Sequence, residues 1–242
     1  MRLGDFEVGR LGFGAMRLCG PGVWGPPADP ENALRVLRRV VELGIALIDT
    51  ADAYGPEVSE LQIAEALHPY PEGLVIATKG GLLRQGPNRW STDGRPGHLR
   101  EACEGSLRRL RLERIDVYQL HAPDPAVPFA ETVGALKELR DEGKVRHVGL
   151  SNVSVAELEE AEQIVPVVSV QNRYNAADRA SDGVLDACEG RGIPFLPWHP
   201  LGVGSLDAAE ALRFLLARSP VILPIPGTSS VEHLEENVRA VM

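Results

Sequence analysis

A (β/α)8 barrel, the α/β fold also called a TIM barrel, is the architecture this chain predicts, on three observations. Short apolar runs alternate with amphipathic helical stretches from end to end. Successive runs start roughly 20 to 40 residues apart, room for one strand, one helix and two loops. No long linker or shift in composition interrupts the alternation, so residues 1–242 read as a single barrel domain.

In chain order, residues 2–10 (Arg-Leu-Gly-Asp-Phe-Glu-Val-Gly-Arg) predict a short N-terminal β-hairpin that plugs the barrel floor. Strands are expected to start near Leu11, Ile45, Leu74, Ile115, Arg146, Val167, Ile193 and Val221. The runs near Leu74, Val167 and Val221 are nearly all apolar, as strands covered on both faces should be. Asp29-Pro30 places a capping carboxylate before a proline of the first turn, and Gly44 stops that helix. Leu99, Cys103, Leu107 and Leu110 form one apolar stripe, with Arg100, Glu104, Arg108 and Arg111 turned outward. Ser154-Val155-Ala156-Glu157 has the spacing of a capping box, and Gly143 and Gly192 end two more helices. A doubly wound sheet would want a glycine-rich phosphate turn early in the chain. Gly12-Phe13-Gly14-Ala15 has no third glycine in register.

Composition narrows the function classes. The chain is 44% apolar and 24% charged, ample for a sizeable core. A formal charge of −9 argues against nucleic acid or an anionic membrane as partner. No apolar stretch nears the ~20 residues that span a bilayer, and Met1 leads into Arg2-Leu3-Gly4-Asp5 with no signal-like segment. Cys19, Cys103 and Cys188 lack metal-ligand spacing and point to reduced thiols of a cytoplasm. The histidines 68, 98, 147 and 233 carry no metal-site spacing either, so no metal is expected.

In such a barrel the chemistry belongs at the carboxyl ends of the strands. Those ends carry Asp49 and Tyr54, then Lys79, His121, Ser151-Asn152, Gln171-Asn172, Trp198-His199 and Pro226-Gly227-Thr228-Ser229-Ser230. A tyrosine beside an ammonium, the ammonium held by a carboxylate, and a histidine opposite would make a proton-donating carbonyl site. Taken singly, each residue has a structural reading: Tyr54 a loop aromatic, Asp49 with Lys79 an ion pair, His121 a satisfied strand-end histidine. Their joint occurrence in strand order favours chemistry. Asp52, two residues before the tyrosine, reads as a solvated loop carboxylate.

Leu47-Ile48-Asp49-Thr50-Ala51-Asp52-Ala53-Tyr54-Gly55, Ala77-Thr78-Lys79, Gln119-Leu120-His121, Val148-Gly149-Leu150-Ser151-Asn152, Gln171-Asn172 and Ile225-Pro226-Gly227-Thr228 are phrases of one family. From about Leu3 to Asn237 the chain resembles the aldo-keto reductases. The resemblance implies reversible hydride transfer between NADPH, with NADH as the alternative, and the carbonyl carbon of a small aldehyde or ketone. It assigns Tyr54 as general acid, helped by Lys79 and Asp49, with His121 orienting the carbonyl. Ser151, Asn152 and Gln171 would meet the carboxamide of the cofactor, and Trp198 would stack on its nicotinamide. Pyrophosphate would lie after Leu201 and Gly202. Gly227, Thr228, Ser229 and Ser230 would hold the adenosine end, and Glu236 and Asn237 the adenine. Trp24 and Trp90 are candidate walls of the substrate pocket, and Met16 and Arg17, which end the first strand, are weaker candidates to touch the cofactor.

Three departures from the family pattern temper this reading. Only about six residues separate Leu201 from a helix over Asp207–Ser219, where relatives carry a longer segment. The chain ends right after the eighth helix, a reduced C-terminal region expected to loosen cofactor retention and substrate selectivity. His199 stands where a small residue is usual. No basic residue other than His233 lies between Arg218 and Arg239, so serine and threonine hydroxyls would have to favour NADPH. Two readings compete with the reductase: a nicotinamide-binding barrel with little turnover, and a lyase using Lys79 as a Schiff-base nucleophile, which an adjacent Asp49 disfavours by raising the lysine pKa. A monomer is favoured.

Overall fold

Six parallel strands form a sheet in the order β10-β9-β8-β5-β4-β3. They are β3 Phe13–Gly14, β4 Leu47–Asp49, β5 Val75–Gly80, β8 Ile115–Leu120, β9 Val145–Ser151 and β10 Val167–Gln171. The computed structural model describes residues 1–202 and 207–241. The backbone continues the sheet around a ring. Leu196 N donates to Val170 O at 2.8 Å, Leu223 N to Phe195 O at 2.9 Å, and Gly12 N to Pro224 O at 2.9 Å. Where the sequence predicts eight strands, the last two positions, residues 194–198 and 221–226, pair only through isolated bridges. Prolines explain this: Pro194, Pro197, Pro224 and Pro226 have no N–H to give, so the ladder skips at those residues.

Eight α-helices separate these positions among the described residues: α1 Pro30–Glu42, α2 Val58–Leu67, α3 Pro96–Leu110, α4 Phe129–Asp141, α5 Val155–Glu162, α6 Asp182–Arg191, α7 Ala208–Arg218 and α8 Val231–Val241. Their local punctuation acts as expected. The Asp29 carboxylate accepts from Asn32 N ahead of Pro30, and Ser154 and Glu157 close a reciprocal capping box on α5. Gly44, Gly143 and Gly192 take positive φ just past α1, α4 and α6. The stripe on α3 is buried at Leu99, Cys103 and Leu110, while Arg100 reaches Glu142 and Glu104 reaches Lys144 across to α4 and the turn beyond it.

The amino-terminal hairpin pairs β1 Arg2–Leu3 with β2 Phe6–Glu7. Its Leu3, together with Val8, packs inside the ring against Leu47, Val75, Val117, Leu196 and Leu223, which closes the barrel floor. A second hairpin, between β5 and α3, is not anticipated by the sequence reading, which leaves that segment as a loop. It pairs β6 Leu82–Gly86 with β7 Arg89–Thr92. Its local signal is Pro87-Asn88 at the turn, where Asn88 takes φ 53°.

Inside the ring the packing leaves no room at Gly149. A Cβ there would stand 2.3 Å from Ser169 Oγ and 2.8 Å from Gln119 Cγ. Gly149→Ala is therefore expected to cost about 1–3 kcal/mol. A urea titration checks this, and an unchanged midpoint would show that the barrel interior yields.

Candidate active site

Parallel register brings the titratable residues to one end of the barrel. Asp49 lies level with Ala77 on β5, and Lys79, two residues on, points to the same face, level with Gln119 on β8. Lys79 Nζ, fully buried, donates to Asp49 Oδ2 at 2.7 Å, to Thr50 O at 2.8 Å and to Tyr54 Oη at 3.3 Å. All three ammonium protons are thus placed. The other oxygen of Asp49 accepts from Gln119 Nε2 at 3.0 Å and Gln171 Nε2 at 2.8 Å. A buried charge pair is tolerable only when its remaining lone pairs and protons are satisfied in this way.

Burial and charge divide the work between these groups. Burial is the largest influence on Lys79 and would lower its pKa, but Asp49 and Tyr54 outweigh it, and the net direction is upward. Lys79 therefore stays charged. Tyr54 is raised above the usual phenol value, because burial outweighs the opposing pull of Lys79. The phenol is thus held in its protonated, donating form, although the neighbouring cation alone would favour ionisation. His121 is pushed well below the ordinary histidine value by burial, then by the charges of Lys79 and Arg84, so its ring is neutral. That ring meets Tyr54 edge-on at 5.7 Å between centroids. Its Nδ1 is buried without a hydrogen-bond partner.

Above these groups opens a cavity of about 570 Å3, with Asp49, Tyr54 and His121 in its wall. Of the other expected residues, Ser151, Asn152, Gln171, Trp198, Leu201, Gly202, Gly227 and Trp90 line it, as do Met16, Arg17 and His199. Several are already engaged. Ser151 Oγ donates to Gln171 O at 2.7 Å, Asn152 Nδ2 donates to His121 O at 2.9 Å, and Trp198 Nε1 donates to Asn152 Oδ1 at 2.8 Å. Asn152 and His199 both hold positive φ, at 59° and 57°. Neither is glycine, and both flank the Trp198 indole in the cavity wall.

Some expected residues lie elsewhere. Trp24 is not in the cavity wall: its backbone bridges Gly55 and its ring faces Arg84. Thr228, Ser229 and Ser230 stand just past the last lining residue, Gly227; Thr228 Oγ1 accepts from Ser230 N and Ser230 Oγ from His233 N at the start of α8, while Ser229 O accepts from Asn32 Nδ2. Further along α8, Asn237 turns inward beside Leu234 and Val238, and Glu236 is exposed. The backbone beyond Gly202, expected beside a pyrophosphate, lies outside the described residues, as does the terminal Met242. Asp52 is not the solvated carboxylate its loop position suggested. Its Oδ1 is buried without a partner, and burial, then Glu60, pushes the carboxyl up to about 8.

Gln119 and Thr50 are partners that the sequence reading did not select. Gln119 follows from the period-two inward pattern of β8, one step before His121. The Thr50 carbonyl has no sequence signal at all, since any residue supplies one. Among the described residues no cluster of three or more His, Cys, Asp or Glu could hold a metal ion, and no helix is long and apolar enough to cross a membrane.

Comparison with known proteins identifies the family. The description "Aldo/keto reductase family" matches residues 10–211. An uncharacterized oxidoreductase of Schizosaccharomyces pombe is 50% identical over 257 residues, covering 99% of this chain and 84% of that protein. Pyridoxine 4-dehydrogenase of Escherichia coli is 43% identical over 262 residues, covering 98% of this chain and 91% of that enzyme. An aldo-keto reductase from Klebsiella pneumoniae solved in complex with NADPH superposes with a TM-score of 0.78 at 25% identity, covering 97% of this chain and 86% of that one. Ring topology, strand-end chemistry and a match over most of the sequence lead to one conclusion: this chain belongs to the aldo/keto reductase family and is an oxidoreductase acting on carbonyl groups.

Proposed function

We propose that the protein reduces small aldehydes, aromatic ones included, with NADPH as hydride donor, and runs the reverse oxidation of the alcohols. The observation that carries this is the Lys79 ammonium, shared between Asp49 and the Tyr54 hydroxyl at 2.7 and 3.3 Å beneath an open cavity. The pyridoxine 4-dehydrogenase relative makes a pyridine aldehyde such as pyridoxal a reasoned test substrate. It suits a cavity walled by Tyr54, Trp90, His121 and Trp198.

The residues present fit a nicotinamide cofactor. Trp198 offers a flat ring whose tilt is fixed through Asn152, and Gly14, Gly202 and Gly227 leave bare backbone in the wall. A Cβ on Gly227 would stand 2.5 Å from Gly14 O and 3.4 Å from Arg17 Cγ. Arg17 thus lies against Gly227 in the cavity wall and offers a cation near the start of the segment 227–230, a feature that suits NADPH. When bound, the reduced nicotinamide supplies the hydride. Tyr54 Oη gives its proton to the carbonyl oxygen, and Lys79 stabilises the phenolate left behind, itself held charged by Asp49. Neutral His121 hydrogen-bonds the same oxygen and fixes its direction. Solvent or a proton relay then restores the phenol.

The test is NADPH oxidation with para-nitrobenzaldehyde and with pyridoxal, repeated with NADH and with Tyr54→Phe. Turnover that NADPH supports and Tyr54→Phe loses is the expected result. Cofactor binding without turnover across an aldehyde panel would instead favour a binding barrel.

A pH profile gives a second check. Because His121 stays neutral, kcat/KM for reduction is expected to remain flat from about pH 8 down through the ordinary histidine value of about 6.5. Its activity-lowering protonation belongs well below that. A limb titrating near 6.5 that disappears in His121→Asn would contradict a neutral, buried ring.

A further inference from the structure

Arg84 holds more backbone than any catalytic residue does, yet it is not in the cavity wall. It projects from β6 level with Trp90 on β7. Its Nη1 donates to Val23 O at 2.6 Å and Ala53 O at 3.0 Å, and its Nη2 to Gly22 O at 2.8 Å and Gly86 O at 3.2 Å. Those four carbonyls come from the turn after the first strand, the residue before Tyr54, and the far end of the arginine's own strand. The guanidinium carbon also lies over Trp90, 3.6 Å from its ring centroid, with the Trp24 centroid at 5.7 Å. Trp90 in turn presents its edge to His121 at 6.4 Å.

The clamped segments make up one side of the cavity: Val23, Tyr54, Leu82, Asn88 and Trp90 all line it. Without the arginine they have only a few links to one another, such as Asn88 N to Gly22 O at 2.9 Å and Gly25 N to Gly55 O at 2.7 Å. Val23 takes φ 55° beside Gly22 at 69°, a turn that a β-branched residue does not favour by itself. Two of the arginine's bonds end on that turn, which holds it in place. A planar fork with five N–H donors can meet four divergent carbonyls; an ammonium has three donors around one point.

We propose that Arg84 is the positioning residue of the substrate wall: by clamping Gly22, Val23, Ala53 and Gly86 together it presents Trp90 to the carbonyl site, so it sets affinity for aromatic substrates. The inference rests on the carbonyl-reductase reading of the cavity. A flat aromatic aldehyde reaching from Tyr54 past His121 meets Trp90, whereas a short aliphatic aldehyde ends before it. The wall therefore discriminates by ring, and Arg84 acts through Trp90 without touching the substrate.

The test compares para-nitrobenzaldehyde with propanal in the parent, Arg84→Met, Arg84→Lys, Trp90→Ala and the Arg84→Met/Trp90→Ala pair. Both arginine variants are expected to raise KM for para-nitrobenzaldehyde about tenfold, with kcat and the propanal KM moved less than about threefold. NADPH affinity should stay within about twofold. In the Trp90→Ala background, adding Arg84→Met should change KM less than about twofold, because the residue it positions is gone. Equal losses for both aldehydes, full rescue by Arg84→Lys, or multiplicative effects in the pair would each overturn the clamp. Circular dichroism of each variant separates misfolding from mispositioning, and Arg84→Lys remains as the milder change if Arg84→Met does not fold. If the parent reduces no aldehyde, the reductase reading has failed and the clamp is still decided. Quenching of tryptophan fluorescence by para-nitrobenzaldehyde then reports wall affinity, and weaker binding in Arg84→Met supports the proposal while equal binding overturns it.

Discussion

Tyr54→Phe is expected to lower kcat for aldehyde reduction by about 10²–10⁴-fold while leaving NADPH affinity nearly unchanged. The substitution removes one oxygen and keeps the ring, so the edge-on contact with His121 at 5.7 Å survives. Lys79 retains Asp49 and Thr50 O as acceptors. The fold should therefore hold, and the loss reports chemistry. Burial keeps the Tyr54 phenol protonated above its usual range, the form that the proposed acid needs. In the proposed reaction the cation matters later, when the proton leaves and Lys79 stabilises the phenolate. Single-turnover kinetics with enzyme in excess measure this step without interference from product release. A variant within tenfold of the parent would move the proposed acid role to another group of the cavity wall, such as His121.

Lys79→Met is expected to damage both stability and activity. It strands Asp49, which is 2% exposed, with two amide donors and no counter-charge. Breaking a buried pair by removing one partner costs about 3–5 kcal/mol. Converting the survivor as well, in Asp49→Asn/Lys79→Met, should recover much of that, because a neutral amide needs only hydrogen bonds. Denaturant titrations of the two variants settle the point: equal stability would mean that Asp49 takes up a proton or reaches solvent. The sign of the pH dependence comes from the upward net shift of Lys79. Its contribution is present in full below the unfolded lysine value of about 10.4 and fades as pH rises through the higher folded value. Activity of the pair variant should stay low, since Tyr54 then has no cation to receive its charge.

Certain features of this fold are visible in the sequence because they depend on neighbours in the chain. Asp29 before Pro30 and Ser154 before Glu157 cap their helices with partners three residues away, and both caps form. The apolar runs before Asp49, Lys79 and His121 become strands buried on both sides, and residues at the carboxyl ends of barrel strands share one rim. Trp90 and Trp24 mark the limit of such reasoning. Both come after a strand and both are more than one-third exposed, but a hairpin turns one into the cavity and a bridge to Gly55 holds the other outside it.

The barrel, its helix ends and the gathering of Asp49, Tyr54, Lys79 and His121 at one rim are thus legible along the chain, because period and strand-end position are local properties. Packing in three dimensions brings Gln119 and Gln171 to Asp49 across 70 and 122 residues of chain. It also decides that prolines thin the ladder where the ring closes, and that Arg84 gathers carbonyls from 61 and 62 residues away. The reason is physical: a backbone carbonyl carries no sequence signature, and which ones meet an arginine depends on how distant segments pack.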